Sequence, residues 1–221
     1  VKTILINDNV IIIIVDDGSP NINITNYINF NNVIIVKHFE NYGPGAARNT
    51  GIEVALDNFD VKFISFIDTD CQVDSDWLTI HENNQMKSGG VYCGQTIGLN
   101  YDIVSRYHDI MGTLNGRRID KGLLYGPSCN MSISREILND FRFDERFPNA
   151  SFEDVEFCVR LIKNNIVPQY IKEAIIFHDY DNNIKGFYNQ FYRYGKSHPL
   201  MLQIHPEYHE WYSASEEIPV G

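Results

Sequence analysis

Apolar residues fall in short unbroken runs, separated by stretches with helical periodicity. "VIIIIVD" (10–16), "VIIVK" (33–37) and "VKFISFI" (61–67) are continuous and β-branched. That pattern predicts strands buried on both faces. "GPGAARNTGIEVALDN" (43–58) sets Ala47, Gly51 and Ala55 at i, i+4 spacing, with Ile52 and Leu56 beside them. It predicts a helix with a small-residue face. "DSDWLTIHENNQMKSGG" (74–90) predicts a second helix, with an Asp N-cap and glycines past its end. "GVYCGQTIG" (90–98) reads as a further strand, "FEDVEFCVRLIKN" (152–164) as a helix and "PQYIKEAIIFH" (168–178) as a strand. A mixed region lies between residues 98 and 152, and the stretch after 180 is rich in aromatic side chains. Strands alternating with helices imply an α/β fold with a parallel sheet covered on both faces. No internal repeat or linker composition divides the chain, so one domain is expected.

Charge sharpens this picture. The 221 residues carry 18 basic and 29 acidic side chains, a net charge of −11. A nucleic-acid surface needs a basic footprint and is not expected. A phosphate-bearing ligand needs a metal or placed arginines to invert the local field. Cys71, Cys93, Cys129 and Cys158 are widely spaced, with no CxxC pair. Reduced thiols in a cytosolic setting are expected rather than a zinc site or disulfide framework. The longest apolar run is far too short to span a bilayer.

The candidate chemistry sits where strands end. In open α/β sheets ligands collect at the carboxyl ends of the strands. Asp16 and Asp17 end one predicted strand, and Asp68 and Asp70 end another. Each alone is also an ordinary turn or cap residue. Together they open onto one crevice. Alternate residues of "DTD" project to the same side, so two carboxylates have the geometry to share a hard cation with waters and phosphate oxygens.

"IIIIVDDGSP", "NYGPGAARNTGIEVA", "FISFIDTD", "GPSCNMSISREIL…FRFDERF" and "FEDVEFCVRL" occur in this order over about residues 2–180. In order and spacing the chain resembles family 2 glycosyltransferases of the GT-A fold. The resemblance implies a mixed, mostly parallel Rossmann-like sheet flanked by helices. It also implies a catalytic domain over 1–180, with a nucleotide-binding half (1–98) and an acceptor half (99–180). Residues 181–221 would form a helical, aromatic extension packed on the core. Asp17 matches the residue that bonds the nucleobase, with Arg48 against base or ribose and Asp68 at ribose and phosphate. Asp70 matches the metal ligand, and His178 a histidine that touches metal or diphosphate in some relatives; a capped strand-end histidine is its plain alternative. Asp154 of the Glu153-Asp154 pair matches the catalytic base, while acids in a first helical turn are also common caps. Gly126 and Asn130 match positions lining the donor-sugar and acceptor pocket.

The implied reaction moves a sugar from a nucleotide-diphosphate sugar, a UDP-sugar, to an acceptor hydroxyl with inversion and Mn²⁺ or Mg²⁺. The implied partners are the donor and a glycan, lipid-linked or peptide acceptor. The expected location is cytoplasmic or the cytoplasmic face of a membrane, with membrane association through parts outside this chain. A retaining transferase and a non-catalytic nucleotide-sugar or carbohydrate-binding module are the alternatives. A phosphatase of the haloacid dehalogenase type is disfavoured, because Gln72 stands where it needs a small hydroxyl residue. A receiver domain is only about half this length. Family members open with a strand and a "PxYN"-like segment, whereas "VKTIL" resembles only the end of the following helix. An incomplete chain is therefore expected, with the first strand of the sheet left out.

Overall fold

The early apolar runs form strands where the pattern places them. The computed structural model describes residues 10–20 and 31–220. β1 (Ile12–Asp16) and β2 (Val33–Lys37) pair in parallel, with Ile12 opposite Val33 and Asp16 opposite Lys37. α1 (Pro44–Asn58) follows, with Pro44 at its first turn and Gly43 before it at φ 95°. A Cβ on Gly43 would stand 2.6 Å from the Pro148 carbonyl oxygen, so only glycine makes this turn. Gly45, Ala46, Asn49, Ile52 and Ala55 are buried, and α1 packs on β1 with Gly51 beside Val15.

A five-stranded sheet forms the centre, in the order β3-β8-β5-β9-β4. Its strands are β3 (Phe63–Ile67), β4 (Cys71–Val73), β5 (Val91–Gly98), β8 (Asn130–Ser134) and β9 (Gln169–His178). The α/β architecture and mixed sheet match expectation, but the balance differs. Only β5 and β9 run parallel in this sheet; β3/β8, β5/β8 and β4/β9 are antiparallel. β8 causes the difference by inserting itself between β3 and β5. Its sequence, "NMSIS", is buried at every position although three of the five residues are polar.

That burial is tolerated because the polar atoms find partners. Asn130 donates to the Gln95 and Ala174 carbonyls, both at 2.9 Å, and accepts from Trp77 Nε1 at 2.8 Å. His81 Nε2 lies 3.2 Å from the same Asn130 oxygen and its Nδ1 2.9 Å from Ser132 Oγ. Burial lowers the His81 pKa to about 4, so the ring is neutral. Since Asn130 Oδ1 only accepts, His81 carries its proton on Nε2 and accepts from Ser132. Trp77 and His81 lie on α2 (Trp77–Ser88), whose expected Asp cap is not made: Asp76 gives no side-chain cap bond.

The remaining elements enclose one end of this sheet. α3 (Ile103–Met111) is capped by Asp102, which accepts from the Val104 and Ser105 N–H groups. β6 (Arg117–Ile119) and β7 (Gly122–Tyr125) form a hairpin, joined on the β6 side by β10 (Glu216–Glu217). After α4 (Arg135–Asp140) comes α5 (Glu153–Lys163), with seven of its eleven residues buried. Phe157 of α5 stacks on Phe143 with centroids 4.6 Å apart. α6 (Ile184–Ile204) and α7 (Tyr208–Ala214) precede β10, and Met201 and Tyr208 pack with Leu124, Phe147 and Val159. None of the described helices is long and apolar enough to cross a membrane.

Among the described residues nothing pairs with the far edge of β1 or of β3. Among the described residues these edges are separated, and Ile13, Val15, Gly51 and Ile64 line the space between them. "VKTIL" itself lies outside the described residues.

Candidate active site

A cleft of about 2120 Å³ opens where β3, α5 and β9 meet. Pockets for small molecules are commonly about 300–1,000 Å³. The excess arises because one limb runs into the β1–β3 gap, along Ile13, Val15, Gly51 and Ile64. The polar limb holds Arg48, Asp68, Asp70, Glu153, Asp154 and His178. Six of the nine residues singled out in the sequence thus converge.

Arg48, on α1, is the electrostatic hub. Its Nη2 donates to Asp68 Oδ1 at 2.8 Å and its Nη1 to Glu153 Oε1 at 2.9 Å. Burial works against its charge, but Asp68 and Glu153 outweigh burial and hold the guanidinium above the ordinary arginine pKa. Both arms of the fork are engaged through in-plane hydrogen bonds. It joins the end of β3 to the start of α5.

α5 presents its acids through an unusual entry. Phe152, before the helix, adopts φ 72°, a left-handed conformation costing an L-residue about 1–2 kcal/mol. Such strain clusters where side chains must be aimed. Glu153 points inward, its Oε2 accepting from the Ser151 N–H at 2.8 Å. Burial first, then the Asp154 charge, raise its pKa to about 7 against the pull of Arg48. Asp154 is half-buried on the cleft wall. Its Oδ2 accepts from the Ser128 N–H at 3.2 Å and its Oδ1 from the Val155 N–H at 2.8 Å. Burial raises its pKa, while Arg48 and these two bonds oppose the rise. The outcome is a fixed carboxylate with more basicity than one in water.

Across the cleft, the antiparallel β4/β9 ladder sets Cys71 opposite His178. That pairing brings His178 beside Asp70: Nε2 lies 3.6 Å from Asp70 Oδ2, beyond hydrogen-bond reach. Asp70, Cys71 and His178 offer donor atoms within 4.8 Å of one another. Carboxylate plus imidazole suits Mn²⁺, and phosphate oxygens and water have room to complete the shell. The Cys71 thiol is a soft donor that a hard cation does not require. The residues therefore fit a divalent metal. Tyr180, which the sequence reading missed, stacks on His178 at 4.4 Å and on His108 at 4.2 Å, fixing the imidazole plane. Its only signal was an aromatic residue two places beyond a strand-end histidine.

Three expected residues do not face the cleft. Asp17 accepts from the Tyr42 and Gly43 N–H groups and from His38 Nδ1, at 2.7–3.0 Å, so it shapes the 38–43 turn instead. Gly126 packs on the core, where a Cβ would stand 2.3 Å from Cys93 Sγ. Asn130 is fully buried in the network described above. The cleft lining is supplied instead by their neighbours Pro127, Ser128 and Cys129.

Comparison with known proteins bears on the fold and the family. The Pre-mycofactocin glycosyltransferase of Mycobacterium tuberculosis is 25% identical over 218 residues, which cover 89% of this chain and 43% of that protein. The chain thus spans less than half the length of this relative. Among solved structures, S. aureus TarS superposes with a TM-score of 0.61 at 19% identity, over 85% of this chain and 34% of its own. GalNAc-T7, solved with UDP, GalNAc and Mn²⁺, gives 0.59 at 14% identity, over 77% and 38%. These likenesses show the GT-A fold. The sequence model of glycosyl transferase family 2 matches residues 3–142, from ahead of β1 to just past α4, and the chain belongs to that family.

Proposed function

We propose that this chain transfers a sugar from a nucleotide-diphosphate sugar, a UDP-sugar, to an acceptor hydroxyl, with inversion and with Mn²⁺ or Mg²⁺. The observation that carries the reading is Asp154. It is a carboxylate on the cleft wall, held by two backbone N–H groups, with a raised pKa. Those are the properties of a general base that must take a proton from an attacking hydroxyl.

The other residues divide the remaining work. Asp68, 42% exposed, keeps one oxygen free of Arg48 and faces the ribose and phosphate side. Asp70 and His178 would hold the cation. When bound, that ion supplies Lewis-acid stabilisation of the leaving diphosphate. It also answers the charge problem, since Asp68, Asp70, Glu153 and Asp154 make the cleft repel an anion and Arg48 is already paired. Glu153 positions the site: through Arg48 and the Ser151 N–H it locks the start of α5. Inversion follows from one displacement, with base and leaving group on opposite sides of the transferred carbon. UDP and Mn²⁺ in the structure of the fold neighbour GalNAc-T7 support this choice of donor and ion.

The test is a panel of nucleotide-sugars incubated with the protein, with and without Mn²⁺, while free nucleotide is followed. Metal-dependent release of UDP from one sugar, accelerated by an acceptor, supports the proposal. Tight binding with no release across the panel would make it a binding module instead.

A further inference from the structure

α3 turns hydrophobic residues outward. Val104, Ser105 and His108 face the core, whereas Ile103, Tyr107, Ile110 and Met111 are exposed, Ile103 by 82% and Ile110 by 64%. Their spacing of i, i+4, i+7 and i+8 marks one continuous helical face. α6 repeats it at the same intervals with Ile184, Tyr188, Phe191 and Tyr192, Ile184 being 85% exposed. Tyr107 packs edge-on against Phe187 at 5.1 Å, so the two stripes join into a single patch. Scattered exposed apolar residues are normal, but a contiguous patch of this kind marks an interaction surface.

Its charge runs against that of the chain. The protein carries −11, yet Ile184–Ile204 contains Lys185, Arg193 and Lys196 and no acid, and Arg106 is exposed on α3. The nearby acids keep their charge, Asp102 capping α3, Asp109 bonded to the Gly98 N–H and Asp179 ahead of α6, so the excess of positive charge is confined to α6 itself. Asp181 is exposed at the edge, ahead of α6. Apolar and tyrosine side chains flanked on α6 by Lys185 and Lys196 are the composition of helices lying in a membrane interface, with the cations toward anionic headgroups.

We propose that the α3–α6 face docks on an anionic lipid bilayer. Tyr107, Met111 and Phe191 belong both to the patch and to the cleft rim, so docking sets the cleft mouth at the membrane surface. The docking is independent of the reaction inside the cleft.

The experiment is co-sedimentation with vesicles of phosphatidylcholine alone, or of phosphatidylcholine and phosphatidylglycerol in equal parts. Two double variants are compared, Ile103→Asp with Ile184→Asp, and Lys185→Glu with Lys196→Glu. These four positions are exposed and lie outside the cleft lining. Expected is binding to the anionic vesicles only, weakened by added salt and reduced about tenfold or more in each variant, with melting temperatures unchanged. If the aspartate pair loses the fold, the glutamate pair still decides the matter. Failure of the unaltered protein to bind anionic vesicles, or binding by both variants equal to that of the unaltered protein, would overturn the proposal. Concentration-dependent dimerisation abolished by the aspartates, without vesicle binding, would overturn it too and assign the patch to a second copy.

Discussion

Replacing Arg48 with methionine removes the cation between Asp68 and Glu153 while keeping most of the stem. The two carboxylates respond differently. Asp68 is 42% exposed, and water compensates its charge. Glu153 is 5% exposed and has no such recourse. Removing one partner of a buried pair costs about 3–5 kcal/mol; with one half screened, the lower end, about 3 kcal/mol, is expected. The loss depends on pH with a definite sign. Glu153 has a folded pKa raised from 4.5 to about 7, with Arg48 opposing the rise. Without Arg48 it rises further. A carboxyl raised on folding contributes stability that is full below its unfolded value and is lost as pH climbs through the folded one. The unaltered protein completes that loss near pH 7, whereas the variant goes on losing above it. The deficit should be about 1 kcal/mol near pH 5, where only hydrogen bonds to a neutral acid are missing. It should grow to about 3 kcal/mol near pH 9. At this chain length 1 kcal/mol moves Tm by about 2–4 °C, so calorimetry should find about 6–12 °C at the alkaline end. A deficit that is flat with pH, or larger in acid, would refute the reasoning.

Other residues yield sharper separations of role. Asp70→Ala should abolish Mn²⁺-dependent UDP binding in titration calorimetry with the fold intact; unchanged metal-dependent affinity would remove Asp70 from the metal site. Asn130→Ala leaves the Gln95 and Ala174 carbonyls and Trp77 Nε1 without their partner. It should cost about 3 kcal/mol in denaturant unfolding while nucleotide affinity per folded molecule stays the same. An unaltered fold with weakened donor binding would return Asn130 to the pocket.

What was legible in the sequence was what periodicity and strand-end chemistry record. β1, β2, β3, β5 and β9 are apolar runs, and they formed. β8 was not legible, because "NMSIS" is half polar and is a strand only through partners far along the chain. Antiparallel insertion of β8 is what moved the sheet away from mostly parallel. In the site, Asp68 and Asp70 were indicated by strand ends, and Arg48, Glu153, Asp154 and His178 by the family resemblance; all six line the cleft. Asp17, Gly126 and Asn130 lie beside the cleft in sequence but turn away from it in space. Direction is set by local bonds: Asp17 by the 42–43 backbone, Asn130 by its four partners. The left-handed Phe152 had no sequence signal at all, since nothing in "SFEDVEF" requires φ > 0.

The central claim is that Asp154 takes the acceptor's proton, and Asp154→Asn tests it most directly. Asparagine keeps the shape, but its single oxygen accepts from only one of the Ser128 and Val155 N–H groups, and it cannot act as a base. With the productive donor and acceptor in hand, kcat should fall by roughly 10²–10⁴-fold while donor Kd stays close to the original value and Tm falls by only about 2–4 °C, the loss of one hydrogen bond of about 1 kcal/mol. Turnover equal to that of the unaltered protein, or a loss of Tm with kcat preserved, would contradict the account and leave Asp154 a helix-end structural residue.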